Sequence, residues 1–321
     1  MNIRTPFIND HGRLRSGWRL IIFTAIFVAM IIASDLLLFR LNLRGLRYGG
    51  YLLEFTRRSL LVICAVVAGY ICNRLLEGLP WRALGLTFHR RWFWDFFFGS
   101  LVGIVTLSFA VAIAVAGQGL QFSINRGDVV FAVLKSLVGT GVLFVVAALA
   151  EEAMFRGYPL QTLSRAHLVA LGVFFTSVPF GIVHLWNPNV IRGVTFVNTA
   201  LAGVWLAIAY LRTRSLWFPL GIHWAWNWAL GSIFGLPVSG ANLTSHTPLV
   251  ARDIGPTWLT GGSYGIEGGV ACTIVLIIGS WFLWKTRLVS ATPELLKLTS
   301  EELPATPVLT SSPHNEQLAE R

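Results

Sequence analysis

Charge is what this 321-residue chain has least of: Asp, Glu, Lys and Arg make up 12% of it, where soluble domains carry about 25%. That shortage argues against the two soluble domains the length alone would allow. Cysteine is also scarce. Its three copies, Cys64, Cys72 and Cys272, all lie inside apolar runs. With no C-x-x-C spacing, they offer neither a disulfide framework nor a thiolate metal cage, and they read as small buried hydrophobes. The net charge of +10 is spread over arginines at the ends of apolar runs and in loops. No dense basic patch exists, so nucleic acid is excluded as a partner. No internal repeat is visible, so a transporter built from doubled halves has no support.

What the chain does have is hydrophobic length. Hydrophobic residues make up 55% of it, in runs of about 20 residues, the number a bilayer core of ~30 Å requires. The expected fold class is all-α, a polytopic transmembrane helix bundle of about eight spans: 18–39, 53–73, 93–117, 128–156, 168–185, 194–211, 216–235 and 265–284. The first run is too long for a cleaved signal and reads as a span. The fourth exceeds one crossing, so it tilts or projects its last turns toward an aqueous cavity. Asp128 is its expected N-cap, and Gly157 and Pro159 its expected stop. Four units follow: spans one to three (1–127), a core (128–236), a loop with the last span (237–289), and a tail (290–321) whose Pro, Ser, Thr and Glu content predicts disorder.

Loop arginines orient the bundle. Arg4, Arg13, Arg15, Arg19, Arg74, Arg82, Arg90, Arg91, Arg156, Arg165, Arg212, Arg214, Lys285 and Arg287 fall on one side, which places both termini in the cytoplasm. Arg40, Arg44, Arg47, Arg57 and Arg58 dissent, as an outward-facing loop. The expected location is a multi-pass protein in the plasma or inner membrane of a bacterium, with membrane lipid as a partner.

Ionisable residues inside spans are costly and mark function by default. They form three groups. In "EEAMFR", Glu152 and Arg156 are i,i+4 on one helix face and can pair, while Glu151 points about 100° away. In "FGIVHLWNPN", Phe180 and His184 are again i,i+4, after Pro179 and ahead of Asn187 and Asn189. In "HWAWN", His223 and Asn227 share a face of a Trp-rich run. Each group alone has a plain structural reading: a helix end with snorkelling charges, a satisfied histidine, an interhelical hydrogen-bond staple. Together they hold one carboxylate, two imidazoles and one carboxamide on three helices. A glutamate can take a proton from water, and histidine and asparagine N–H groups can donate to a developing oxyanion.

The pattern E-E-x-x-x-R, F-x-x-x-H, H-x-x-x-N, in order on successive apolar segments between about 130 and 235, resembles the CPBP family. That family holds the type II CAAX prenyl proteases and the bacterial Abi proteins linked to bacteriocin self-immunity. The resemblance implies an intramembrane endopeptidase, with CAAX-type C-terminal processing as one form. It implies that Glu151 activates water with His184 assisting, that His223 and Asn227 steady the oxyanion, and that Glu152 and Arg156 support them. The family carries a metalloprotease label, and a metal-free glutamate mechanism is also argued for it. Glu151, His184 and His223 could bind Zn²⁺ with an open position. Equally, Glu151 and His184 could activate water without it.

The implied substrate is a membrane-associated peptide or lipidated protein. The rival reading is a non-catalytic membrane protein of the same fold, for bacteriocin immunity or partner binding. Two decoys fall away. "GGSYG" at 261–265 fits G-x-S-x-G but precedes a span with no histidine, and reads as a flexible loop. H-E-x-x-H is absent, which removes the site-2 type of zinc protease. "GSLVG" at 99–103 carries the small-x-x-x-small spacing of close helix packing.

Overall fold

The structure, a computed structural model, describes residues 6–40, 50–127, 130–243 and 246–300. Arg4, Arg44, Arg47, the expected cap Asp128 and the tail beyond 300 lie outside the described residues. In chain order the elements are α1 (Ser16–Arg40), α2 (Gly50–Cys72), α3 (Trp92–Ala116), β1 (Leu120–Ile124), α4 (Val130–Glu152), α5 (Tyr158–Arg165), α6 (Val169–Val183), α7 (Val194–Thr213), α8 (Trp217–Trp228), β2 (Leu249–Asp253), α9 (Thr257–Thr260), α10 (Val270–Lys285) and α11 (Pro293–Thr299).

Every expected span is a helix, and six are long and apolar enough to cross a membrane. The α8 and α10 helices fall short of the ~20 residues a crossing needs. Of these two, α8 is the central helix, with Phe218, Ile222, His223 and Trp226 all buried. It packs closest on α3, and glycine is the reason. A Cβ at Gly221 would stand 2.1 Å from the Phe96 carbonyl oxygen, and one at Gly99 would stand 2.2 Å from that of Phe218. With no side chains between them, the backbones meet directly, as the small-residue spacing predicts. The main core fills the space among α3, α4, α7, α8 and α10 with Leu107, Phe144, Trp205, Ile222, Trp226 and Leu276. A second cluster joins α1 and α2 to Tyr158 through Phe23, Phe27, Cys64 and Ala68. The outer faces keep large apolar side chains such as Phe131, Val138, Phe174 and Ile278 exposed, the surface a lipid-embedded bundle presents.

The structure corrects four expectations. Gly157 and Pro159 do not stop the fourth span. A widened π turn, Ala153–Gly157, follows α4, and the chain continues as α5 with Pro159 in its first turn. There the proline's missing N–H leaves no bond unmade, because first-turn N–H groups have no partner within the helix. The overlong span is therefore one helical rod, Val130–Arg165, and Glu151 sits well inside it rather than at its end. Second, Arg57 and Arg58 are residues of α2, not of an outward loop.

Third, the 261–265 loop is ordered and packed: Gly261, Gly262 and Gly265 hold φ of +83°, +56° and +93°, and Tyr264 is buried. A Cβ at Gly265 would stand 2.4 Å from the Pro237 carbonyl oxygen, so the tight backbone approach explains the glycines. Fourth, the tail does not lose structure at Ser290. Thr292 caps α11, accepting from the Leu295 N–H at 3.3 Å, and Leu295 is buried. The all-α reading also gains a small antiparallel ribbon, with Leu120 opposite Asp253 and Ile124 opposite Leu249.

Candidate active site

Three helices bring the polar groups of the sequence motifs together around one cavity of about 750 Å³. Glu151 enters from the last turn of α4, His184 from the single 3-10 turn that ends α6, and His223 and Asn227 from α8. Glu152 points the other way, into the protein. The 100° step of the helix separates the two adjacent carboxylates into different environments.

Glu152 and Arg156 form a fully buried pair: Arg156 Nη1 donates to Glu152 Oε1 at 3.0 Å, and neither side chain has any exposed surface. Arg156 Nη2 donates to the Gly203 carbonyl of α7 at 3.1 Å, and its guanidinium lies 4.6 Å from the Phe180 ring centre. One arginine thus ties α4, α6 and α7. Glu152 Oε1 also pairs with His223 Nδ1 at 2.8 Å. A carboxylate accepts only, so His223 Nδ1 carries a proton and Nε2 turns to the cavity. His184 Nδ1 faces the Phe180 carbonyl at 2.7 Å. By the same logic that nitrogen is protonated, and in the neutral ring Nε2 is the acceptor. Phe180 packs on His184 at a tilt of 50° with ring centres 4.6 Å apart and meets His223 edge-on at 6.1 Å. The phenyl of F-x-x-x-H is the packing floor under both imidazoles.

Glu151 completes the arrangement. Its Oε2 is buried and accepts no hydrogen bond from any described residue. It lies 4.0 Å from His184 Nε2 and 3.7 Å from His223 Nε2. Both separations are too long for direct hydrogen bonds. Two atoms that each hold one water at about 2.8 Å stand about 4 Å apart when the angle between the bonds is near 90°. The other oxygen, Oε1, accepts from Arg58 Nη1 of α2 at 3.3 Å.

Residues 133–229 match the family model described as "Type II CAAX prenyl endopeptidase Rce1-like". They are a CPBP-family domain. No curated protein and no solved structure matches the chain. A domain of this family implies an intramembrane protease, acting on a protein substrate in a membrane setting. The CPBP match contains every residue of the three sequence motifs, from Glu151 to Asn227. It does not contain all the residues around the cavity.

Sequence reasoning missed Arg58 and Glu54, which reach the cavity from α2, and Asn198 and Glu267, which line it from α7 and the segment before α10. Glu267 accepts from Trp226 Nε1 at 3.1 Å and from the Ser239 backbone N–H at 2.6 Å. Asn198 Nδ2 donates to the Glu267 carbonyl at 2.7 Å. Asn189 is not a site group: it donates to the Gly240 carbonyl at 3.0 Å, tying two loops.

The same atoms bear on the zinc reading. A tetrahedral ion with ligands at 2.0–2.2 Å needs ligand atoms about 3.4 Å apart. Glu151 Oε2 is wider than that from both imidazoles. Among the described residues no three His, Cys, Asp or Glu side chains have metal-holding geometry. The residues do not fit the ion, and the metalloprotease label is not supported.

Proposed function

We propose that the protein is an intramembrane endopeptidase that hydrolyses a peptide bond with water activated by Glu151 and His184. The reading rests on one observation above all: the Oε2 of Glu151, buried and without a hydrogen bond from any described residue, faces two imidazole Nε2 atoms at one-water separation. Oε2 and His184 Nε2 are two acceptors, and a water has two protons to give them. Held so, its lone pair is directed at a substrate carbonyl, and proximity contributes as much as basicity.

The water oxygen bonds to the carbonyl carbon as Glu151 takes its proton. The carbonyl oxygen becomes an oxyanion. His223 and Asn227 donate to it. For His223 this requires the doubly protonated ring, since Nδ1–H is committed to Glu152. Collapse breaks the C–N bond, and the proton on Glu151 passes to the departing amine. The products are a carboxylic acid and an amine. The substrate class is a membrane-associated peptide or lipidated protein, with CAAX-type C-terminal processing as the form to test first. The arginine distribution supports cytoplasmic termini. With Arg57 and Arg58 inside α2, the opposing loop is weaker than the sequence suggested.

The test uses full-length protein in nanodiscs against quenched fluorescent peptides, farnesylated and unmodified. Wild type is expected to cleave, and a zinc chelator is expected to leave kcat unchanged. Chelator-sensitive activity restored by added zinc would refute the metal-free chemistry. Identical product traces from wild type and a Glu151→Gln/His184→Ala double variant would refute the site.

A further inference from the structure

The segment that matches the family model does not hold every group touching the proposed base. The N-terminal part of the chain sends α2 against α4, and one side chain of α2 reaches the carboxylate itself. Arg58 Nη1 donates to Glu151 Oε1 at 3.3 Å, and Arg58 Nε donates to Glu54 Oε1 at 2.7 Å, one turn back on α2. The guanidinium is held between two carboxylates by two different edges. Its planar fork suits that double contact, which a lysine ammonium serves only as a point charge. The end of α2 is fixed in turn: Tyr51 Oη donates to the Leu243 carbonyl at 2.8 Å, across the same cavity.

We propose that Arg58 is a positioning residue for Glu151, set by Glu54, so that the second transmembrane helix completes a site whose reacting groups lie on α4, α6 and α8. This rests on the reading of Glu151 as the base. The division of labour follows from the two oxygens. Oε1 is occupied by Arg58, which stops rotation of the carboxylate about its last bond. Oε2 is thereby left turned toward His184 and His223 and accepts nothing else from the described residues. A freely turning carboxylate could instead swing toward the doubly protonated His223 and accept from its Nε2–H directly, and the gap for water would close. The arginine also sets a cation in direct contact with this carboxylate on the cavity side, while Arg156 makes its hydrogen bond to Glu152. Arg58 itself is a third exposed, at 34% of its side chain, so a small solute can reach the place it fills.

The experiment compares kinetics of wild type, Arg58→Ala, Arg58→Lys, Glu54→Gln and Glu151→Gln on the farnesylated quenched peptide, in nanodiscs. Misplacing a reacting group by about 1 Å costs on the order of 100-fold in rate. Arg58→Ala is therefore expected to lose about 10- to 100-fold in kcat with KM nearly constant. Arg58→Lys should recover part of that loss and Glu54→Gln should show a smaller one. Added methylguanidinium should restore Arg58→Ala saturably, which a variant that is merely misfolded would not show.

Three results overturn the inference: wild-type kcat in Arg58→Ala, a rise in KM at constant kcat, or no response of Arg58→Ala to methylguanidinium. Full activity in Glu151→Gln would instead remove the underlying reading of the base. A dead Glu151→Gln beside an unaffected Arg58→Ala would remove this inference alone.

Discussion

Glu151→Gln is expected to lower kcat by about 10²- to 10⁴-fold, the range general-base catalysis supplies, while the protein stays folded. Glutamine keeps the shape of the side chain and an oxygen that can still accept from Arg58. What it loses is the basic Oε2 between His184 and His223. Stability should hold or rise slightly, because a partly buried carboxylate with one unpaired oxygen is replaced by a neutral group. The check is kcat on the farnesylated peptide together with a thermal midpoint on the same preparation. A loss of activity that tracks a loss of folded protein would mean that Glu151 is structural. His184→Ala should fall in the same direction, since one of the two acceptors for the water is removed.

The second large effect is on stability. Arg156→Met should cost about 3–5 kcal/mol, the usual consequence of leaving one member of a buried ion pair alone. Glu152 would keep only His223, and Arg156's bond to the Gly203 carbonyl and its stacking on Phe180 would go too. The double variant Glu152→Leu/Arg156→Met should regain most of that stability, because buried ion pairs are often replaced by apolar groups at little cost. It should not regain activity. His223 would lose the acceptor for Nδ1–H, and with it the fixed direction of Nε2. Unfolding of the three proteins followed by circular dichroism, with kcat measured in parallel, separates the two roles. An Arg156→Met variant within about 1 kcal/mol of wild type would show that the pair contributes little to stability.

The contrast between Glu151 and Glu152 shows how much of the site was legible in the sequence. Costly side chains stand out in an apolar run, and the i,i+4 rule alone separates the carboxylate paired on its own helix from the one that has no partner there. The match of residues 133–229 to the CPBP model agrees with the family that the three motifs resemble. Arg58 was missed for a physical reason. Its partner Glu54 is also i,i+4, inside an expected span, but nothing in the sequence says which face of α2 meets α4. Charge near a span end was read as topology, whereas Arg58 turns into the cavity and meets Glu151.

The helical breaks were misread likewise. Gly157 and Pro159 are stop signals by propensity, yet Gly157 closes a π turn and Pro159 sits in the first turn of the helix that follows. Local propensity yields to packing there: Tyr158 and Leu160, beyond the turn, are fully buried. At the C-terminus the signal was present and outvoted. Thr292-Pro293-Glu294 is a helix-start signature, with a capping residue, a first-turn proline and a first-turn acid. The surrounding Pro, Ser and Thr content masked it. The β1–β2 ribbon pairs segments far apart in the chain, each five residues long, too short for periodicity to declare.

In the proposed mechanism Glu151 activates water and does not itself bond to the substrate. A single turnover in H₂¹⁸O tests it most directly, with enzyme in excess over the farnesylated peptide and both the product and the Glu151 peptide weighed by mass spectrometry. With Glu151 as a general base, ¹⁸O is expected in the new product carboxylate from the first turnover and none in Glu151. Unlabelled oxygen in the first product, with ¹⁸O appearing in Glu151, would contradict it and make the glutamate a nucleophile.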